Sequence, residues 1–259
     1  MKNTRIAFCL SLYLAFSGVG CSRKASQSAT SESKPQPATF FHVDPATAGE
    51  ITGKVSYLGP KVKAKPIDMS EDPACVSAHH GKPFDESLLV GPSHSLANAF
   101  VYIKSGLEGK TFEVPATPVV IDQNGCWFQP RVLGIQTNQV LKIVNSDPVT
   151  HNIHPMAEIN REWNHSQGPG DPSLNRKFIK PEIMIPVKCN IHSWMRAYVG
   201  VLDHPYFAVS KDDGTFKIPN LPPGTYTLAV WQEKLGAQEQ QIKIDPSQHI
   251  VADFTFKGK

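Results

Sequence analysis

The chain is predicted to be an all-β protein, and three observations point that way. Its 22 prolines and 18 glycines are spread along the sequence and cut it into short segments. Within those segments apolar residues recur at every second position, the period of a half-buried strand. Long runs of helical periodicity are hard to find. A hydrophobic share of 40% suffices for ordinary cores, and 259 residues make room for one or two domains.

The chain opens with Lys2 and Arg5, then an apolar run from Ile6 to Phe16, then Ser17-Gly18-Val19-Gly20 before Cys21. A positive start, a short apolar core and small residues make a secretory signal over residues 1–20. The apolar run is too short for a comfortable membrane span. Small residues directly before a cysteine resemble the bacterial lipobox, although Gly18 stands where leucine is usual. That resemblance implies that Cys21 is lipidated and becomes the new N-terminus. Residues 21–46 hold Ser, Lys, Gln and Pro with little to bury, and read as a flexible tether to a membrane. The net charge is +3; without Lys2 and Arg5 it is near +1, so nucleic acid is not an expected partner. The expected location is the bacterial cell envelope, facing the periplasm or exterior.

Strands follow in order. Ile51, Val55 and Tyr57 share one parity in a first strand. From Leu58 to Asn98 the chain reads as loops with brief edge strands at 67–69 and 88–90. Ala99-Phe100-Val101-Tyr102-Ile103 is an unbroken apolar run, suited to a strand buried on both faces. Short strands then recur around Val119, Cys126, Val132 and Val140, as in a Greek-key sandwich. Ala197–Val201 is another strand, broken by His204-Pro205. In the last segment Asp212-Asp213-Gly214 is a hairpin signal. Alternating strands follow through Tyr226–Trp231, Ile242, Ile244, Phe254 and Phe256.

The chemistry is concentrated in Cys189-Asn190-Ile191-His192-Ser193-Trp194-Met195, which puts a thiolate, an imidazole and a thioether in one tight loop between two apolar runs. Two His, one Cys and a weak axial Met are the ligand set that holds copper for electron transfer. The loop lacks only its second His. The strand Val140–Val144 delivers Asn145, a turn at 146–148, and then His151-Asn152-Ile153-His154, making His151 the candidate fourth ligand. His154 falls on the opposite face of an extended chain. His165, His204 and His249 have no ligand-like neighbours in sequence and are expected at the surface.

Here the sequence resembles the cupredoxins, the blue type 1 copper proteins, and among them those of amicyanin type in the Cys-x-x-His-x-x-Met spacing and the His-Asn-hydrophobic-His run. The resemblance covers residues 118–203. It implies a Greek-key copper domain with one type 1 copper on His151, Cys189, His192 and Met195. It also implies that Asn145 ties the two ligand-bearing loops together and that His192 lies near the surface as the electron's exit. Trp194 beside it is either a partner-docking aromatic or packing under the loop.

Of the five cysteines, Cys9 lies in the signal, Cys21 at the lipidation site and Cys189 among the ligands. Cys75 and Cys126 remain as a disulfide candidate in an exported chain. A second metal site of Cys75, His79 and His80 is the sharper alternative.

The opening strands and the C-terminal segment resemble the carboxypeptidase regulatory-like domain, a β-sandwich of transthyretin type. The resemblance implies that residues 47–117 and 204–258 form one discontinuous sandwich into which residues 118–203 are inserted. It implies a scaffold or docking surface, with no zinc-protease motif. The expected function is a one-electron carrier, not an enzyme. Expected partners are a redox protein such as a cytochrome or dehydrogenase, and a membrane through the lipid anchor. Copper trafficking, or a structural module with a relic site, are the alternatives; a complete ligand set including Met195 favours the carrier.

Overall fold

Strands carry nearly all of the regular structure. The computed structural model describes residues 39–258, so the expected signal, Cys9, Cys21 and most of the tether lie outside the described residues. In chain order the elements are β1 (Gly49–Leu58), the short helix α1 (Pro73–Ala78), β2 (Phe100–Ser105), β3 (Val119–Gln123), β4 (Phe128–Gln129) and β5 (Val132–Gln136). They continue with β6 (Leu141–Asn145), β7 (His151–Pro155), β8 (His165–Gln167), β9 (Leu174–Arg176), β10 (Glu182–Lys188) and β11 (Arg196–Leu202). The last are β12 (Phe207–Val209), β13 (Thr215–Leu221), β14 (Gly224–Gln232), β15 (Gly236–Ile244), β16 (His249–Val251) and β17 (Phe254–Lys257).

The fold class is all-β, built as two sandwiches. One pairs the sheet β13-β1-β16, with β17 also on β1, against the sheet β12-β2-β14-β15. Ile51, Val55, Val101, Ile103, Leu228 and Phe254 are among the buried residues between them. The other pairs β5-β11-β10-β7-β8 against β4-β3-β6-β9. Its core includes Ile121, Leu133, Ile143, Ile153, Val187 and Val199, and Cys189 and Met195 belong to the same cluster. Strands β3 to β11 thus form one sandwich, while β1, β2 and β12 to β17 form the other.

A third core joins the two. Phe100, Tyr102 and Ala229 from one sandwich pack on Val132, Met184 and Leu202 from the other. This explains the unbroken apolar run of β2. Side chains alternate between faces along a strand, so Val101 and Ile103 enter the first core while Phe100 and Tyr102 enter the joining one. Gly134 and Gly200 are paired across β5 and β11. A Cβ at either would overlap the rings of Phe207 or Phe100, so glycine here is what allows the aromatic layer to seat.

Several local expectations need correction. Residues 67–69 and 88–90 form no strands; only isolated bridges, Pro66 to Phe84 and Val90 to Leu96, occur there. The Asp212-Asp213-Gly214 turn forms, with the Lys211 N–H donating to the Thr215 carbonyl at 3.0 Å. It does not make a hairpin of paired strands, because β12 and β13 belong to opposite sheets and the turn crosses between layers. The end of the expected tether is held down: Phe41 and Val43 pack against the first core, and the rings of Phe41 and Phe112 lie 5.8 Å apart. Two apolar side chains are enough to dock a segment whose composition is otherwise polar.

His204 is buried rather than superficial, with 6% exposure. Its Nε2–H donates to the Ile103 carbonyl at 3.0 Å and its Nδ1 accepts from the Tyr206 N–H at 3.2 Å. Burial pushes its pKa below the usual histidine value. Unfolded chain therefore binds a proton that folded chain refuses. His204 contributes its full stability above pH ~6.5 and loses it as pH falls towards the lowered folded value, with a slope of at most about 1.4 kcal/mol per pH unit. Urea unfolding at pH 7 and pH 5 checks this: the loss on acidification should shrink in His204→Gln, and an identical loss in both proteins contradicts it.

Candidate metal centre

The centre lies at one end of the second sandwich, where the β6–β7 and β10–β11 connections meet. His151 opens β7 and is fully buried; Cys189 and His192, just past β10, are 2% and 3% exposed. The loop after β10 is a tight turn: the Cys189 N–H donates to the Met195 carbonyl at 3.2 Å and the Met195 N–H to the His192 carbonyl at 3.0 Å. The His192 N–H donates to the Cys189 sulfur at 3.4 Å. That turn brings both side chains inward.

One ligand atom from each of His151, Cys189 and His192 lies within 4.8 Å of the others. His151 Nδ1 and His192 Nδ1 are 3.0 Å apart, and Cys189 Sγ is 3.9 Å from His192 Nδ1. Two nitrogens at that separation lie within the span of two metal bonds of about 2.0–2.1 Å each. Met195 is 1% exposed on the same loop.

The outer nitrogens of both imidazoles are held by carboxylates. His151 Nε2 lies 2.7 Å from Asp147 Oδ2, and His192 Nε2 lies 3.0 Å from Asp72 Oδ2. A carboxylate on Nε2 keeps a proton there in either charge state of the ring, so that Nδ1 is the nitrogen left to serve as a ligand atom. Asp147 is itself locked: its oxygens accept from the N–H groups of Gly125 and Cys126 at 2.6 and 2.7 Å. Positive φ at Gly125 and Cys126, 66° and 56°, turns both amides onto that one carboxylate. Burial pushes the Asp147 carboxyl up, but the His151 hydrogen bond and these amides outweigh it and hold it below the usual range. Burial likewise raises the Cys189 thiol. The His151 hydrogen bond and backbone N–H groups of His192, Asn152 and Ile191 overcome this and lower it, favouring the thiolate.

The resemblance implied an accessible His192, and the structure departs from it. Asp72 and α1 lie over the imidazole. Asp72 Oδ1 caps α1 by accepting from the Ala74 and Cys75 N–H groups at 3.0 and 3.2 Å, while Oδ2 takes His192. Cys75 Sγ is 3.6 Å from His192 Nε2. The signal for this cap was present in the sequence, since Asp72-Pro73 is an N-cap followed by proline at the first helical position.

Cys75 and Cys126 are joined by a disulfide, which fastens the cap to the β3–β4 turn. Neither His79 nor His80 shares a metal cluster with Cys75 among the described residues. His79 Nδ1–H donates to the Gly125 carbonyl at 2.9 Å and its ring packs on Trp127; His80 is exposed. The bridge spans 51 residues, and closing a loop of that length destabilises the unfolded chain by about 4 kcal/mol through lost entropy. The Cys75→Ala, Cys126→Ala double variant should lose about that much in urea unfolding; an unchanged midpoint and slope contradict this account of the bridge.

Asn145 serves a nearer task than the resemblance implied. Its Nδ2 donates to the Val149 and Gln167 carbonyls, both at 2.9 Å, and its Oδ1 accepts from the Asp147 N–H at 3.1 Å. It shapes the loop that presents Asp147 and His151. Asn152 makes the tie to the other loop, accepting the Asn190 N–H at 3.0 Å. His154 turns away from the centre to Asn190 and Glu162.

The family model described as Polysaccharide lyase family 4, domain II, matches residues 186–252, which run from the end of β10 through the ligand loop into the C-terminal strands. That is the match in the tail, where a carboxypeptidase regulatory-like domain was expected. No curated protein matches the chain. Among solved structures, a Cu-containing nitrite reductase from Thermus scotoductus is similar at 24% identity and TM-score 0.32, covering 38% of this chain and 24% of its own. The chain thus spans about a quarter of that enzyme's length. A purple cupredoxin from Nitrosopumilus maritimus matches at 20% identity and TM-score 0.28 over 32% of this chain and 98% of its own. An oxidised amicyanin variant matches at 18% identity and TM-score 0.30 over 39% of this chain and 97% of its own.

Proposed function

We propose that the chain is a copper-binding electron carrier with one type 1 site on His151, Cys189, His192 and Met195. The supporting observation is the convergence of two Nδ1 atoms and one sulfur, with both outer nitrogens engaged by carboxylates. This donor set fits copper: a soft thiolate with two imidazoles suits it, whereas structural zinc asks for four strong ligands. Bound copper would supply a one-electron couple. The chain's own residues do the rest. Asp147 and Asp72 fix ring orientation, Asn152 joins the two loops, and burial keeps water from the donors. Ligands seated on a rigid sandwich change position little between charge states, which suits electron exchange.

On this reading residues 118–203 are the copper domain, and residues 47–117 with 204–258 are its scaffold. The chain is exported and anchored through Cys21 in the bacterial cell envelope, and exchanges electrons with a redox protein such as a cytochrome or dehydrogenase. It is a carrier, not a catalyst. Titration of the full chain with cupric salt tests the reading. One equivalent bound with intense visible absorption supports it; a colourless product contradicts it. Rapid loss of the ion to a chelator, relative to electron exchange, would turn the reading to trafficking.

A further inference from the structure

We infer that a cavity beside the ligand loop takes a small planar aromatic reductant of the hydroquinone class, and that its electron enters across Trp194. The inference rests on the copper reading for its electron-transfer half. It starts from a closed route: His192 is 3% exposed, with Asp72 and Cys75 against its outer nitrogen, so no partner reaches that edge of the imidazole. Trp194 is the aromatic that bridges the gap. Its ring lies 5.1 Å from that of His192, tilted by 37°, and its Nε1–H donates to the Cys126 carbonyl at 3.1 Å, which fixes its position. Trp194 is half-buried and lines a cavity of about 540 Å³.

That volume is in the range of small-molecule sites, about 300–1,000 Å³. Trp127, Trp194 and Tyr198 give it aromatic walls, which favour a flat π-system. Lys65, Arg196 and Lys234 supply donors for hydroxyl oxygens. Both sandwiches build it. Arg131 of one donates to Glu233 Oε2 of the other at 2.7 and 3.0 Å, and the rings of Tyr198 and Trp231 lie 4.8 Å apart across the same junction. The site therefore gives the scaffold sandwich a task in recognition.

The step balances. With copper(II) held by His151, Cys189, His192 and Met195 as the one-electron oxidant, a bound quinol would give one electron across the Trp194 and His192 rings and release one proton to water. It leaves as a neutral semiquinone radical. Two such radicals disproportionate to one quinone and one quinol.

The test uses the full chain and two isomers: hydroquinone, which forms a quinone, and resorcinol, which does not. Calorimetry on copper-free protein should show saturable binding of both at millimolar concentration. Trp194→Leu, with unchanged circular dichroism, should weaken resorcinol binding about tenfold. In copper-loaded protein the same variant should keep the visible spectrum but be reduced by hydroquinone about tenfold more slowly, and Trp194→Phe should recover part of both. Absence of saturable binding, beside a normal copper spectrum, overturns the inference and leaves the copper reading standing. So does reduction of Trp194→Leu at the parent rate. Binding by a chain that takes up no copper overturns the electron-transfer half along with the copper reading.

Discussion

Cys189→Ser should remove the visible absorption of copper-loaded protein and lower copper affinity by more than about a hundredfold, beyond the 10–100-fold that loss of an outer hydrogen-bond partner gives. The sulfur is the soft donor of the set, and a buried hydroxyl replaces it with a hard, neutral one. Serine is close in volume to cysteine, so the metal-free fold should survive. Its hydroxyl can still accept the His192 N–H that now reaches the sulfur at 3.4 Å. Copper titration followed optically and by chelator competition reads the effect; a variant that keeps colour and affinity would mean that Cys189 is no ligand.

Asp147→Ala should destabilise the metal-free chain by about 3–5 kcal/mol, the range for breaking a buried charged pair from one side. The side chain is 4% exposed and engages three donors: His151 Nε2 and the N–H groups of Gly125 and Cys126. Alanine leaves all three buried and unpaired. Copper affinity should fall a further 10–100-fold because the His151 ring loses its anchor. Asp147→Asn keeps an acceptor oxygen and should cost less, about 1–3 kcal/mol. Urea unfolding and copper competition on both variants give the comparison, and two equal, small losses would contradict the role assigned to Asp147.

Which parts were legible follows from how local the physics is. Period-two alternation is set by neighbouring residues, so β1, β11 and β14 could be read directly. Cys189, His192 and Met195 sit within one turn, and such spacing survives any tertiary arrangement. Asp147 was visible only as a turn residue, because its capture by the Gly125 and Cys126 amides depends on a contact more than twenty residues away. The covering of His192 was equally remote: Asp72 lies 120 positions upstream. An Asp-Pro pair announces a helix start, yet nothing local says what that helix will lie upon. His204 looked superficial because it has no ligand-like neighbours in sequence. Its burial comes from β2 and Tyr206, which it meets only in the folded chain.

X-ray absorption at the copper edge of the loaded full chain reads the ligand set itself. Two imidazole nitrogens and one short sulfur are expected in the inner shell, with the sulfur contribution gone in Cys189→Ser. An inner shell of nitrogen and oxygen alone, unchanged by that substitution, would place the ion elsewhere and contradict that ligand set.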